Sequence, residues 1–148
     1  RARIAGLPAD ATPIDQAWEV MDEVYQAFTY TPASTTIRTT AEQALAQRKG
    51  VCQDYAHVML SVCRHVGLTA RYIAGLLGGE GATHAWVEIY HDGRWIGLDP
   101  TNAIPAGDDH IILAVGRDYA DVAPVDGVIV SSGDHMLAVG VDVIPVER

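Results

Sequence analysis

Three residues of the types that perform nucleophilic acyl transfer occur in this chain in the order cysteine, histidine, aspartate. Cys52 lies in the segment G-V-C-Q-D-Y-A, His84 in T-H-A-W-V-E-I-Y and Asp99 in W-I-G-L-D-P-T-N. A thiol attacks a carbonyl carbon, an imidazole carries the proton, and a carboxylate orients the imidazole. The three residues are therefore candidates for one catalytic site.

Cys52 is predicted to begin a helix that runs over residues 52–65. Apolar residues at helical spacing follow it as far as Cys63, and Gly67 is typical of a helix C-terminal stop. The N-terminus of a helix presents unpaired N–H groups, which favour a thiolate and can bind an oxyanion. Gln53, next to the thiol, is a further candidate donor to a bound acyl oxygen.

A β-hairpin is predicted to bring His84 close to Asp99. The residues after His84 alternate between apolar and polar, and Asp92-Gly93 is a strong signal for a two-residue turn. Facing residues on the two strands then make His84 and Asp99 diagonal neighbours, roughly 7 Å apart between backbones. Trp86 falls on the same side of the hairpin and is a candidate for the wall of the site.

The other elements that must position these residues form an α+β pattern, with helices first and an antiparallel sheet afterwards. Helices are predicted at 14–28, 41–47 and 52–65, and strands at 69–77, 84–90, 95–98, 128–131 and 136–146, with loops at 29–40 and 78–83. We interpret residues 1–12 as a lead-in, a remnant of an upstream segment, and residues 13–148 as one catalytic domain. N-terminal helices are expected to pack on the sheet.

Composition excludes several classes of function. The chain has 148 residues and a net charge of -9, whereas binding to nucleic acid needs a basic surface. No apolar run approaches the ~20 residues that span a bilayer, so we expect no membrane partner. The compartment stays open, with the cytoplasm slightly favoured.

Neither a disulfide nor a metal or cofactor site is expected. If Cys52 and Cys63 lie on one helix, they are ~16 Å apart along its axis, too far for a disulfide. The sequence contains no C-x-x-C pair of the kind that binds zinc. The remaining histidines show no convergent partner and are expected to be exposed or satisfied locally; they are His57, His65, His91, His110 and His135.

The three segments around Cys52, His84 and Asp99 together resemble the catalytic core of the transglutaminase-like superfamily, in its bacterial branch. The resemblance covers roughly residues 35–102. It implies a papain-like α+β fold in which Cys52 is the nucleophile, His84 the base and Asp99 the residue that orients the base. It also implies a peptide or protein substrate, attacked at an amide bond through a thioester, and an N-terminal β-rich domain missing from this sequence.

One feature of animal transglutaminases is not found at the matching place. They use an upstream tryptophan to stabilise the oxyanion, but the upstream Trp18 falls in an amphipathic helical stripe, which leaves Tyr30 as the alternative donor. The sequence also has no calcium loop of the EF-hand type. We therefore expect hydrolysis of a peptide or isopeptide bond. Amine transfer to protein glutamine and a non-catalytic binding module are the alternatives.

Overall fold

The computed structural model describes residues 7–123, 127–136, 138 and 140–146, and it confirms the α+β class. The helices are α1 (Pro13–Ala27), α2 (Ala41–Gln47) and α3 (Cys52–His65), followed by a short 3-10 helix at Tyr119–Asp121. The strands are β1 (Thr29–Tyr30), β2 (Lys49–Gly50), β3 (Ala70–Leu77), β4 (Thr83–His91), β5 (Arg94–Asp99), β6 (Ile104–Pro105) and β7 (His110–Gly116).

Capping boxes start the first two helices. At α1, Thr12 Oγ1 accepts the Asp15 N–H at 3.2 Å and Asp15 accepts the Thr12 N–H at 2.8 Å. The box predicted for α2 is also present, because Thr40 accepts from the Gln43 N–H and Gln43 accepts from the Thr40 N–H. These contacts satisfy backbone donors that the first helical turn leaves without partners.

Five antiparallel strands form the main sheet, in the order β6-β5-β4-β3-β7. The hairpin turn lies at Asp92-Gly93 as predicted, with φ of 48° and 78°, and the ladder pairs Val87 with Leu98. A residue with positive φ suits the tight turn that connects two twisted strands. The predicted register of β4 and β5 is confirmed.

The core lies between the helices and one face of this sheet. Alternation along β4 turns Ala85, Val87 and Ile89 to the helices, where they pack with buried residues of α1 and α3. His84 and Trp86 belong to the alternate set of β4 positions and are also buried. Among the described residues, no helix has the length and apolar character to cross a bilayer.

Two sequence predictions differ from the structure. Residues 29–40 do not form a continuous loop, because Thr29–Tyr30 pairs in parallel with Lys49–Gly50. The strands predicted at 128–131 and 136–146 are absent from the described residues of those ranges. Val128 and Val130 are 92% and 95% exposed there. An alternating apolar pattern does not make a strand without a neighbour for its backbone groups. Leu137 and Val139 lie outside the described residues, as do residues 1–6 of the predicted lead-in.

Candidate active site

The predicted nucleophile and base line one cavity of about 720 Å³ at an end of the sheet. Cys52 reaches it from the first residue of α3, and His84 from the second residue of β4. Cys52 is partly exposed, whereas His84 is only 2% exposed. The folding of α3 against the sheet therefore brings the thiol and the imidazole to the same space.

A buried carboxylate holds the imidazole from behind. Nε2 of His84 donates to Oδ2 of Asp99 at 2.8 Å, and Asp99 is 0% exposed. Burial raises the pKa of Asp99, but hydrogen bonds and charge from His84, with hydrogen bonds from Asn102 and His110, outweigh it and lower the pKa to about 2. Asp99 is thus ionised at neutral pH and acts only as an acceptor.

The second nitrogen of the imidazole, Nδ1, lies on the ring that lines the cavity together with Cys52. Nδ1 of His84 is buried and has no conventional hydrogen bond among the described residues. Burial lowers the pKa of His84, but the hydrogen bond to Asp99 and the polar and charge interactions with Asp99 and Cys52 outweigh it and raise the pKa to about 10. With this raised pKa, His84 is an imidazolium at neutral pH in the cavity that it shares with Cys52.

An exposed acidic residue also approaches Nδ1. Oε2 of Glu80 lies 3.5 Å from Nδ1 of His84, on a side chain that is 40% exposed. Glu80 belongs to the glycine-rich loop between β3 and β4. A long contact to an exposed carboxylate contributes little, because water screens the charge.

Asp54 fixes the start of the helix that carries the thiol. Its Oδ2 accepts from the Val51 N–H at 2.8 Å and from the hydroxyl of Thr35. Gly50 passes so close that an added Cβ would lie 2.5 Å from Oδ2 of Asp54. Gly50 leaves the space that the carboxylate of Asp54 occupies, and Asp54 binds the backbone just before Cys52. The position of Cys52 between them in sequence is therefore fixed from both sides.

Tyr30 and Gln53, the predicted oxyanion or substrate-binding residues, both line the cavity. Nε2 of Gln53 is buried and has no hydrogen-bond partner among the described residues. Tyr30 is 51% exposed; partial burial, with the charges of Cys52 and Glu80, raises the pKa of its hydroxyl. Both side chains can supply a donor near the thiol.

Trp86, predicted to wall the site, is not among the residues that line the cavity. It is 1% exposed, and its ring packs behind the imidazole with centroids 6.0 Å from His84. The space for the indole comes from Gly75, where an added Cβ would meet the ring at 2.4 Å. The indole therefore lies behind the cavity lining, in the buried face of the hairpin that carries His84 and Asp99.

His110, expected to lack a convergent partner, belongs to this site. Its Nε2 lies 2.9 Å from Oδ2 of Asp99, and its side chain is 3% exposed. It enters from the first residue of β7, 11 residues after Asp99. No local spacing in the sequence signals this contact, because it depends on the path of the chain through β6 and the following loop.

His57 also has a partner that the sequence did not indicate. Its Nε2 accepts the Tyr119 N–H at 3.1 Å, and burial, with a smaller effect of Arg64, lowers its pKa against the charges of Asp118 and Asp54. A neutral imidazole accepts here, so His57 attaches the 3-10 helix to α3. Tyr119 is one wall of the cavity.

Three side chains of types that bind metal ions, His84, Asp99 and His110, have ligand atoms within 4.8 Å of one another. The Gly107 N–H, however, donates to Nδ1 of His110 at 3.2 Å. The lone pair is then on Nδ1 and the proton on Nε2, so Nε2 donates to Asp99 and is not a free ligand. The cluster is a hydrogen-bond network.

The two cysteines are both free, which confirms that they do not form a disulfide. Cys63 belongs to the core and is 0% exposed. Its burial raises the pKa of the thiol to about 12. Cys63 is therefore unsuited to nucleophilic chemistry.

Comparison with known proteins finds a matching family model and several relatives. The family model of the "Transglutaminase-like superfamily" matches residues 2–100. An uncharacterised protein of Mycobacterium tuberculosis is 38% identical over 146 residues, covering 87% of this chain and 46% of the relative. The chain thus spans about half the length of such relatives.

Two further proteins share parts of the chain. A protein-glutamine gamma-glutamyltransferase of Pseudomonas aeruginosa is 33% identical over 88 residues, covering 51% of this chain and 13% of that protein. A solved structure from Cytophaga hutchinsonii, described as a candidate cysteine protease, is 33% identical with a TM-score of 0.67. It covers 73% of this chain and 38% of the other. The fold is therefore that of transglutaminase-like and cysteine-protease-like proteins.

Proposed function

The chain belongs to the transglutaminase-like superfamily, and from this we propose that it is a thiol-dependent enzyme that transfers acyl groups from amide bonds. Cys52 is the nucleophile, His84 the general base and acid, and Asp99 the residue that orients His84. One observation carries the proposal: His84 shares a cavity with Cys52 while the buried Asp99 holds its other nitrogen at 2.8 Å. This is the arrangement that activates a thiol.

Acylation begins from the thiolate of Cys52 and the imidazolium of His84. The sulfur attacks the carbonyl carbon of an amide, and the carbonyl oxygen becomes an oxyanion. His84 then gives its Nδ1 proton to the leaving nitrogen, the C–N bond breaks, and a thioester remains on Cys52. The raised pKa of His84, about 10, keeps this proton available at neutral pH.

Deacylation returns the site to its starting state. The now neutral His84 takes a proton from water, the hydroxide formed attacks the thioester, and the carboxylic acid leaves as the sulfur regains its electron pair. Gln53 stabilises the oxyanion in both steps of this proposal, which is supported by its buried Nε2, an atom without a hydrogen-bond partner among the described residues. Tyr30 is the second candidate donor on the cavity wall.

Hydrolysis of a peptide or isopeptide bond is the outcome that we favour. The candidate cysteine protease of Cytophaga hutchinsonii, which is 33% identical and aligns with 73% of this chain, supports this outcome. The cavity is lined largely by small apolar residues and tyrosines, which suits an uncharged peptide segment. The name of the glutamyltransferase supports attack at an amide and keeps amine transfer as the alternative.

The test is to incubate the protein with a glutamine-containing peptide mixture in ¹⁸O-labelled water, with and without a primary amine. We expect new peptide termini or carboxyl groups that carry the label, detected by mass spectrometry, and none with Cys52→Ala. Incorporation of the amine in place of water would identify a transferase. If no product depends on Cys52 and the thiol is alkylated slowly, the result favours the non-catalytic binding module on the same fold.

A further inference from the structure

A single oxygen of Asp99 is the acceptor for three side-chain donors. Oδ2 receives Nε2 of His84 at 2.8 Å, Nε2 of His110 at 2.9 Å and Nδ2 of Asn102 at 2.9 Å. Oδ1 receives the Thr101 N–H at 3.1 Å. An ionised carboxylate without exposure to water needs such donors, because burial of an unpaired charge is costly.

The two histidines that meet at Asp99 are not equivalent. Of the two, His84 lines the cavity with Cys52 and His110 does not. Nδ1 of His84 has no hydrogen-bond partner among the described residues, so it can exchange a proton with a substrate. Nδ1 of His110 is occupied by the Gly107 N–H at 3.2 Å. His110 therefore has no nitrogen left to exchange protons with a substrate.

We propose that His110 is a positioning residue, which donates its Nε2–H to Asp99 as the fixed neutral tautomer and so aims the carboxylate at His84. The inference deepens the proposed function and rests on it. Gly107 sets the tautomer of His110, His110 sets the rotamer of Asp99, and Asp99 sets the ring of His84. The chain of contacts is hydrogen-bonded throughout.

The rings of His84 and His110 both pack against the indole of Trp86. The indole of Trp86 meets His110 edge-on, with centroids 5.0 Å apart, and lies 6.0 Å from His84. The ring centroids of the two histidines are 6.1 Å apart. The three rings thus form a triangle, in which the buried indole of Trp86 contacts both imidazoles and limits their movement.

Loss of the His110 donor leaves the carboxylate of Asp99 held by Asn102, the Thr101 N–H and His84 itself, and so fixes its rotamer less firmly. Asn102 still reaches Oδ2, but it approaches from only three residues along the chain. His84 would then spend less time with Nδ1 aimed at the sulfur. A hydrogen bond to a charged group of this kind is worth roughly a 10- to 100-fold change in an equilibrium.

The first test needs no substrate and uses the intact protein. Nitrogen-15 NMR of the side chains should show His110 at neutral pH with a proton on Nε2 and a bare, hydrogen-bonded Nδ1, while His84 carries protons on both nitrogens. His110 found doubly protonated, or with its single proton on Nδ1, would overturn the inference. Either result is independent of whether the protein turns over a peptide.

The second test compares two variants of similar size. His110→Gln places an amide N–H near the position of Nε2, whereas His110→Leu removes the donor. We expect the rate of Cys52 alkylation near neutral pH to fall about 10-fold or more in His110→Leu and to recover substantially in His110→Gln. Circular dichroism and the melting temperature identify a variant that fails to fold. In that case the NMR result on the unaltered protein decides whether His110 is a positioning residue.

Equal alkylation rates in the two folded variants would contradict the positioning role. A structural role alone predicts equal losses, since both substitutions disturb the same buried volume. If the unaltered protein labels slowly at Cys52 while His110 shows the expected tautomer, the proposed function fails and the hydrogen-bond assignment survives. The two failures are thereby distinguished.

Discussion

His84 and Asp99 are joined at 2.8 Å beyond the point where the ladder between their strands ends. The last ladder pair on that side of the hairpin is Val87 with Leu98, so the contact is diagonal and made by side chains. A diagonal pair depends on the rotamers of both residues, which explains why several further donors surround the carboxylate. The orientation of the imidazole therefore depends on Asp99 and its donors more than on backbone pairing.

Replacing Asp99 by asparagine should reduce activity while the fold is kept. An amide at this position can hold the wrong tautomer of His84 and carries no charge to stabilise the imidazolium. We expect kcat/KM to fall by about 10²–10⁴-fold. The measurement is the initial rate on whichever peptide substrate the unaltered protein cleaves.

Glu80→Gln is the matched control for that substitution. It also turns a carboxylate near His84 into an amide, but the contact is 3.5 Å long and exposed. Its effect on kcat/KM should stay below about fivefold, the range of surface ion pairs. Comparable losses in the two variants would mean that any negative charge near His84 has the same effect, and that the buried contact with Asp99 has no special role.

The pH profile should show an alkaline limb set by His84. Because the pKa of His84 is raised from 6.5 to about 10, the imidazolium needed to protonate the leaving amine is present below that value and is lost as pH rises through it. The stability contributed by the raised pKa follows the same sign: it is complete below pH 6.5 and is lost as pH rises through about 10. Acylation rates followed from pH 6 upward test the limb. In Asp99→Asn it should move to lower pH, and an unmoved limb would assign the titration to another group.

The sequence predicted the parts of the site that depend on local signals. Cys52 at the first position of a helix follows from apolar spacing and a glycine stop, and Asp92-Gly93 sets the register that brings His84 toward Asp99. Each signal belongs to the same helix or hairpin as the residues that it positions. The resemblance to a family then implied the roles of these residues.

Contacts made by distant segments could not be predicted in the same way. His110 contacts Asp99 because the chain crosses from β6 at one edge of the sheet to β7 at the other. The hydrophobic periodicity of the sequence does not indicate this crossing. The alternating pattern at 136–146 misled for a related reason. Alternation predicts a face that can be buried, but it does not specify with which strand edge the segment will pair.

Alkylation should distinguish the two cysteines in the folded protein. Cys52 is partly exposed beside an imidazolium, whereas Cys63 is buried with its pKa raised to about 12. Iodoacetamide near neutral pH should label Cys52 faster than a model thiol and leave Cys63 unmodified, as read by peptide mass spectrometry. Cys63→Ala is the control and should keep the fast reaction, which Cys52→Ala abolishes. Rapid labelling of Cys63 would indicate that the protein opens locally.

Gln53→Leu should slow turnover without slowing alkylation. The buried Nε2 of Gln53 has no partner among the described residues, and an oxyanion would provide one. Loss of one such donor typically costs about 10²–10³-fold in kcat with little change in KM. Tyr30→Phe is the parallel variant for the second candidate donor. If kcat falls with Tyr30→Phe and not with Gln53→Leu, the hydroxyl is the donor.

Asp54 should stabilise the fold mainly by fixing the start of α3. Its carboxylate is 2% exposed and binds both the Val51 N–H and the Thr35 hydroxyl. Asp54→Ala leaves those donors without an acceptor, so the free energy of unfolding should fall by about 1–3 kcal/mol. Urea denaturation of Asp54→Ala, Thr35→Val and the double variant measures the pairwise coupling. Additive losses would show that the two side chains act separately, and a slower alkylation of Cys52 in Asp54→Ala would link the cap to the reactivity of the thiol.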